Sequence, residues 1–271
     1  LWGGAVYCKD HSSPIIIGCA FSNNSVSDDG GAIFCIDSSS PTITNSTFSG
    51  NSTTNWCGGA ISCWSSSSPT VTNCTFSGNS AGNEGGAIYC DSSSSPSITN
   101  CVFSDSSANS KGGAIFCTSS SSPTVTNCTF SGNSAGNEGG AVYCDSSSSL
   151  TLNNCILWGN TAGSDGDEIY ISDSGSSCTL NHCCVDDTGY GFGSGVPTTA
   201  IDDSNNCIHE EPQFADAANG DYHLQDTSPC IDKGNNTYIS GVDKDLDGNP
   251  RIVDGNNDGT ATVDIGVYEK Q

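Results

Sequence analysis

Six side chains near the C-terminus carry the sharpest chemistry in the chain. Asp243, Asp245 and Asp247 alternate before Gly248, and Asp254 stands at the twelfth place of that run. Asp254, Asn256 and Asp258 then repeat the alternation before Gly259. Alternating carboxylates on a turning backbone aim hard oxygens at one point, and glycine permits the turn, which is how a calcium loop is built. Calcium is therefore the expected cofactor, with Asp243, Asp245, Asp247 and Asp254 as ligands and Asn256 and Asp258 in a second loop. Three features depart from the pattern: Asp rather than Glu closes the loop, Pro250 restricts it, and no helical periodicity flanks it. The alternative is an Asp/Asn/Gly turn.

The other reactive side chains are weaker candidates. Seventeen cysteines fit no C-x₂-C zinc spacing, and their odd number leaves at least one unpaired. Asp91 and Asp145 recur 54 residues apart, a spacing that would suit an inverting carboxylate pair, but both stand beside serine runs and read as turn residues. A lyase needs a base and cations, yet the repeats offer only Lys9 and Lys111. His11, His182, His209 and His223 are scattered. No catalytic residue is assigned.

What would position these groups is a repeat. Gly-Gly-Ala-[Ile/Val] begins at Gly3, Gly30, Gly58, Gly85, Gly112 and Gly139, at intervals of 27, 28, 27, 27 and 27 residues. A fixed period in this range means a solenoid whose units bury their faces against neighbours. Within a unit, short β-branched and aromatic runs lie between Gly, Ser, Asn and Pro, and no window has a helical period. Val71, Cys74, Phe76, Ile88 and Cys90 read as inward positions, Tyr89 as outward, with a bend at Asn73. Three short strands and three turns per 27 residues predict an all-β right-handed parallel β-helix over residues 1–187. Residues 188–271 are expected to form an irregular cap on its open end. The 28-residue interval marks a bulge near Thr53–Cys57.

Stacking such units predicts columns about 4.8 Å apart. Phe21, Phe48, Phe76, Phe103 and Phe130, then Leu157, form one. Asn45, Asn73, Asn100, Asn127 and Asn154 form a second, at the bend. Two cysteine ladders are expected, one through Cys8, Cys35, Cys63, Cys90, Cys117 and Cys144, the other through Cys19, Cys74, Cys101, Cys128, Cys155 and Cys183 with Ser46 interrupting it. They are expected to be mostly unbridged buried thiols, since a serine interrupts packing less than obligate pairing. Before the double glycine, Lys111 falls between Glu84 and Glu138 and relieves a stack of like charges.

Composition narrows the partners. Six Lys and Arg stand against thirty Asp and Glu, a net charge of −24, which excludes nucleic acid and basic-patch binding to anionic lipid. No apolar run approaches the ~18 residues of a membrane helix. The cysteine content suits an oxidising compartment, so the expected location is extracellular or at the cell surface. The chain opens on Leu1-Trp2-Gly3-Gly4, inside a repeat and without Met, and is expected to be a processed product or a fragment. Its first rung is then expected to expose strand edges and Trp2 and to self-associate end to end.

Gly-Gly-Ala-[Ile/Val] alternating with Phe-x-x-Asn, at Phe21–Asn24, Phe48–Asn51, Phe76–Asn79 and Phe130–Asn133, resembles the repeats of the polymorphic outer-membrane proteins of chlamydiae. The resemblance covers residues 1–170 and implies a β-helical passenger of the adhesive kind. Ser228–Gly234, Asp245–Arg251 and Val263–Glu269 are similar to the C-terminal module of many secreted bacterial β-helix proteins. The expected role is a secreted or surface-borne structural or adhesive rod that meets a host or matrix ligand and forms filaments. The alternatives are a polysaccharide-active lyase or hydrolase and a passive spacer.

Overall fold

The computed structural model describes residues 2–239 and 241–271. Each 27-residue unit closes one rung. In the fourth, the strands are Ile88–Cys90, Ser97–Thr99, Val102–Ser104 and Ser107–Ala108. Strands of successive rungs pair in parallel, and through the repeats the register sets like residues opposite one another, as in Cys63↔Cys90↔Cys117 and Phe48↔Phe76↔Phe103. Parallel sheets of eight, eight, seven and six strands result, one per face. The expected three strands per rung are thus corrected to four. The fourth is two residues of Ser and Ala, too short and too poor in β-formers to stand out in the sequence.

Each recurring motif answers a steric or hydrogen-bonding demand. Gly85 takes φ +68°, and a Cβ on Gly86 would lie 2.0 Å from the Gly113 carbonyl oxygen of the next rung. Only glycine fits such an approach. The bend asparagines sit at φ 49° to 57° and donate side chain to side chain, Asn73 to Asn45 at 3.2 Å and Asn100 to Asn73 at 2.7 Å. The Phe-x-x-Asn asparagines form a second, internal ladder. Asn51 Nδ2 donates to the Phe21 carbonyl at 2.9 Å, and Asn51 Oδ1 accepts the Asn24 amide at 3.1 Å. Ser67, Ser94, Ser121 and Ser148 likewise turn inward, each Oγ accepting an amide of the preceding rung at 3.0–3.2 Å. These ladders satisfy backbone donors that a buried turn would otherwise orphan.

The apolar columns fill the interior as expected. The phenylalanine rings stack at 4.6–4.8 Å, and Ile88, Ile115, Cys90 and Cys117 are buried. No cysteine is bridged. Cys101 Sγ accepts the Cys74 amide at 3.4 Å and donates to Thr99 O at 3.2 Å. Ser46 Oγ does both jobs, accepting from the Cys19 amide at 3.1 Å and donating to Thr44 O at 2.8 Å, so serine replaces cysteine there without orphaning a group.

The coil continues past residue 187: Tyr190–Phe192 and Ile201–Asn205 add a partial eighth rung. Val196, Ala200 and Cys207 then pack onto the end of the core. The rest of the C-terminal segment turns back along the side of the rod. It contains one antiparallel hairpin, Phe214–Asp216 with Asp221–Leu224. It covers the face whose outward residues include Val102, Ile156 and Cys184, where Tyr222, Val267, Leu224, Cys230, Ile231 and Ile265 bury against them. Apolar Val102 and Ile156 replace the threonines of this column (Thr47, Thr75, Thr129), which exposes no apolar surface because the module lies over them. Among the described residues no helix is long and apolar enough to cross a membrane.

Candidate functional site

The outward position after each Gly-Gly-Ala-Ile carries a ring: Tyr7, Phe34, Tyr89, Phe116, Tyr143 and Tyr170, with Ser62 as the exception. Outward does not mean exposed. Tyr89, Phe116 and Tyr143 stack at 5.0–5.4 Å and bury one another. Lys111 Nζ lies 4.7 Å over the Tyr143 ring, donates to its hydroxyl at 2.8 Å and pairs with Glu138 at 3.8 Å. The expected partner on the other side, Glu84, instead receives the Cys57 thiol at 3.8 Å.

This stack opens where the repeat breaks. The 28-residue step inserts its extra residue between Thr53 and Gly58, and the loop is pinned by Thr53 Oγ1 donating to Trp56 O at 2.8 Å. Trp56 is thereby pushed outward, 51% exposed. In the same rung Ser62 leaves a gap in the ring column. Trp64 leans across it, donating Nε1 to Ser62 Oγ at 3.0 Å and tilting against Tyr89 with ring centroids 5.5 Å apart. From below, Trp2, 55% exposed, stacks on Phe34 at 6.1 Å. Trp2, Trp56, Trp64, Phe34, Ile36, Asp28 and Asp29 line a cavity of about 410 Å³.

The polar groups of this cavity are carboxylates. Asp29 is buried, and its Oδ1 accepts the Cys57 amide at 3.1 Å. Burial, reinforced by Asp28 and Asp91, pushes its carboxyl up to about 6 against the pull of that amide. Glu84 is also raised, chiefly by burial. Burial and the Glu84 charge push the Cys57 thiol far up, so it stays protonated between them. The bulge in the sequence pointed to this place, but not to what Trp56 and Ser62 together would open.

The residues singled out by sequence lie elsewhere. Asp91 and Asp145 each accept the amide of the next serine, as turn residues do. The expected calcium ligands are divided. Asp243 is exposed, and Asp245 is buried, accepting the Asn249 amide at 2.8 Å and the Glu269 amide at 3.2 Å. Asp247 meets His223 Nε2 at 2.9 Å, and His223 Nδ1 meets Asp221 at 2.6 Å. Asp254 accepts the amides of Asp258 and Gly259, Asn256 that of Asp258, and Asp258 that of Thr260. Among the described residues no three His, Cys, Asp or Glu side chains converge on a metal position. EDTA decides whether an ion draws them together: an unchanged melting temperature leaves the loops as acidic turns. A fall on EDTA treatment, restored by calcium, would mean that these loops reconverge on an ion, because a ligand that binds only the folded state stabilises it.

No curated protein and no solved structure matches the chain. The family model described as "Right handed beta helix region" matches residues 2–76 and 59–237, the whole coil and part of the module. The chain belongs to that right-handed β-helix family.

Proposed function

We propose that this chain is a secreted or cell-surface structural rod that adheres to a host or matrix ligand through the cavity formed by Trp2, Trp56 and Trp64. One observation carries this reading: the 28-residue step before Gly58, a departure from the 27-residue period within the Gly-Gly-Ala repeats, builds an open aromatic and acidic cavity. Exposed tryptophans clustered in a concave site are what binding surfaces concentrate, and repeats kept for packing alone have no reason to place them there. The likeness of the repeat motifs to adhesin passengers supports the same role. The reading includes self-association through the first rung, which light scattering of the chain at rising concentration would register.

The acidic column beside the cavity favours a second reading. Asp29 and Glu84 flank Cys57 two rungs apart, about 9.6 Å along the rod, near the separation of an inverting carboxylate pair. A polysaccharide hydrolase would use Asp29 as the acid.

Co-sedimentation with insoluble polysaccharides and with immobilised matrix proteins separates these roles. The adhesive rod is retained, and Trp56→Ala reduces retention at least ~10-fold, the loss of a ~1.4 kcal/mol contact. Release of reducing sugar from pectin, alginate or xylan, abolished by Asp29→Asn, would overturn it in favour of the enzyme. No retention on any surface would leave a passive spacer.

A further inference from the structure

Most of the seventeen cysteines belong to the two inward ladders. Cys184 does not. It points outward from the seventh rung, in the column of Thr129 and Ile156, while Cys183 beside it turns into the coil. Cys230 of the module meets it there. Both are fully buried, in one cluster with Ile156, Leu224, Ile231 and Ile265, and their thiols are in hydrogen-bond contact. The backbone fixes both positions: Cys184 N donates to Cys155 O at 2.9 Å, and Cys230 O accepts the Ile265 amide at 3.1 Å. The Cys184 thiol also donates to Glu210 O at 3.2 Å. Two differences separate this pair from the ladders. In the bend-side ladder a thiol such as Cys101 accepts a buried amide, which a bridge would orphan. Ladder thiols are also enclosed by the coil and are reached only by unwinding it. The Cys184–Cys230 contact is reached whenever the module lifts.

We propose that Cys184 and Cys230 are a modification site: under oxidising conditions they form a disulfide that clasps the module to the seventh rung. Both are free thiols in this structure. Contact with Cys230 and burial push the Cys184 thiol far up, so the docked pair stays protonated and does not exchange. Bridging follows when the module lifts and docks again. One thiolate attacks a small disulfide, such as glutathione disulfide, and releases one glutathione. The other thiolate attacks the mixed disulfide and releases the second. The pair loses two protons and two electrons, and glutathione disulfide gains them as two thiols. Residues 231–271, which carry Arg251, then stay anchored at Cys230 when their other contacts fail. The clasp is independent of the tryptophan cavity and of what it binds.

The test treats the full chain with glutathione disulfide, alkylates the remaining thiols in denaturant, and digests without reduction for mass spectrometry. The expected product is one pair of peptides joined through Cys184 and Cys230, absent from Cys184→Ser and Cys230→Ser, with the other fifteen cysteines alkylated. Arg251→Ala, which loosens the module, exposes the pair where the wild-type module stays shut, and should bridge at the same two residues. Bridging should slow tryptic cleavage after Arg251, a buried site that is cut only when the module opens, by at least ~10-fold. Dithiothreitol should reverse that protection, and Cys230→Ser should respond to neither reagent. A link between ladder cysteines in place of this one overturns the clasp. So does the absence of a link in both wild type and Arg251→Ala, or a link that leaves cleavage after Arg251 unchanged.

Discussion

Arg251→Ala is expected to lower stability by about 3–5 kcal/mol, the usual consequence of removing one partner from a buried charged network. Arg251 is fully buried between the module and the coil. Its Nη1 donates to Asn100 Oδ1 at 3.0 Å and to Val267 O at 2.8 Å, and its Nη2 to Gly266 O at 2.6 Å. Glu269 lies 3.9 Å from Nε, and Asp264 and Asp245 add negative charge nearby. Burial already pushes Asp264 up to about 6 and Glu269 up to about 9. Without the guanidinium, three carbonyl-type acceptors lose their donor and the acids lose their counter-charge. Arg251→Lys should recover little, because an ammonium cannot span the same fork of acceptors. The loss should be local. The module should detach and become sensitive to protease beyond the eighth rung while the β dichroism of the coil persists. A variant that melts with the wild type, its module still protected, would show that apolar contacts alone hold the module.

Glu168→Gln should remove a pH dependence. Glu168 occupies the column of Ala87, Ala114 and Ala141, and its side chain enters the interior. There it closes the internal asparagine ladder, accepting Asn160 Nδ2 at 2.6 Å and the Asn160 amide at 3.2 Å. Burial pushes its carboxyl from 4.5 to about 7, although the Asn160 donors pull the other way. The folded state therefore holds this proton more tightly than the unfolded chain does. Its contribution is fully present below about pH 4.5 and is lost as pH rises to about 7, on the order of 3 kcal/mol in all. Glutamine keeps an acceptor for Asn160 and does not titrate. Subtracting the two melting profiles isolates this group from Asp29 and Asp264, which are raised for similar reasons. Parallel profiles for the two proteins from pH 4 to pH 8 would refute the assignment.

The rod was legible in the sequence because repetition does the aligning. A residue that recurs every 27 positions must stack, so the inward phenylalanine, cysteine and isoleucine columns and the Asn73 bend follow from spacing alone. What a single repeat hides is which polar side chains turn inward. Asn79 and Ser94 look like ordinary turn residues, yet their burial depends on partners 27 or 28 residues away. The position of the C-terminal segment was hidden for another reason. Its contacts are to Val102, Thr129 and Asn154, far away in sequence, and the substitutions that admit it are one methyl or hydroxyl each. In the acidic loop, alternation fixes residue types but not aim. Asp245 faces inward to cap the module's own amides, and Asp247 faces outward to His223. The aromatic cavity required two departures, Trp56 and Ser62, that only the fold brings together.

The side-docked module also changes how the rod comes apart. In a bare solenoid each turn holds only its neighbours, so melting proceeds like a zipper, one turn at a time. Here a single segment hydrogen-bonds Asn100 in the fourth rung, Thr129 in the fifth, Asn154 in the sixth and His182 in the seventh. It acts as a splint across four turns, which must open together or not at all. The first three rungs lie outside those hydrogen bonds, and they are the ones that build the tryptophan cavity. Rigidity and recognition are thus allotted to different stretches of one rod: a braced shaft, and a more pliable tip able to close around what it holds.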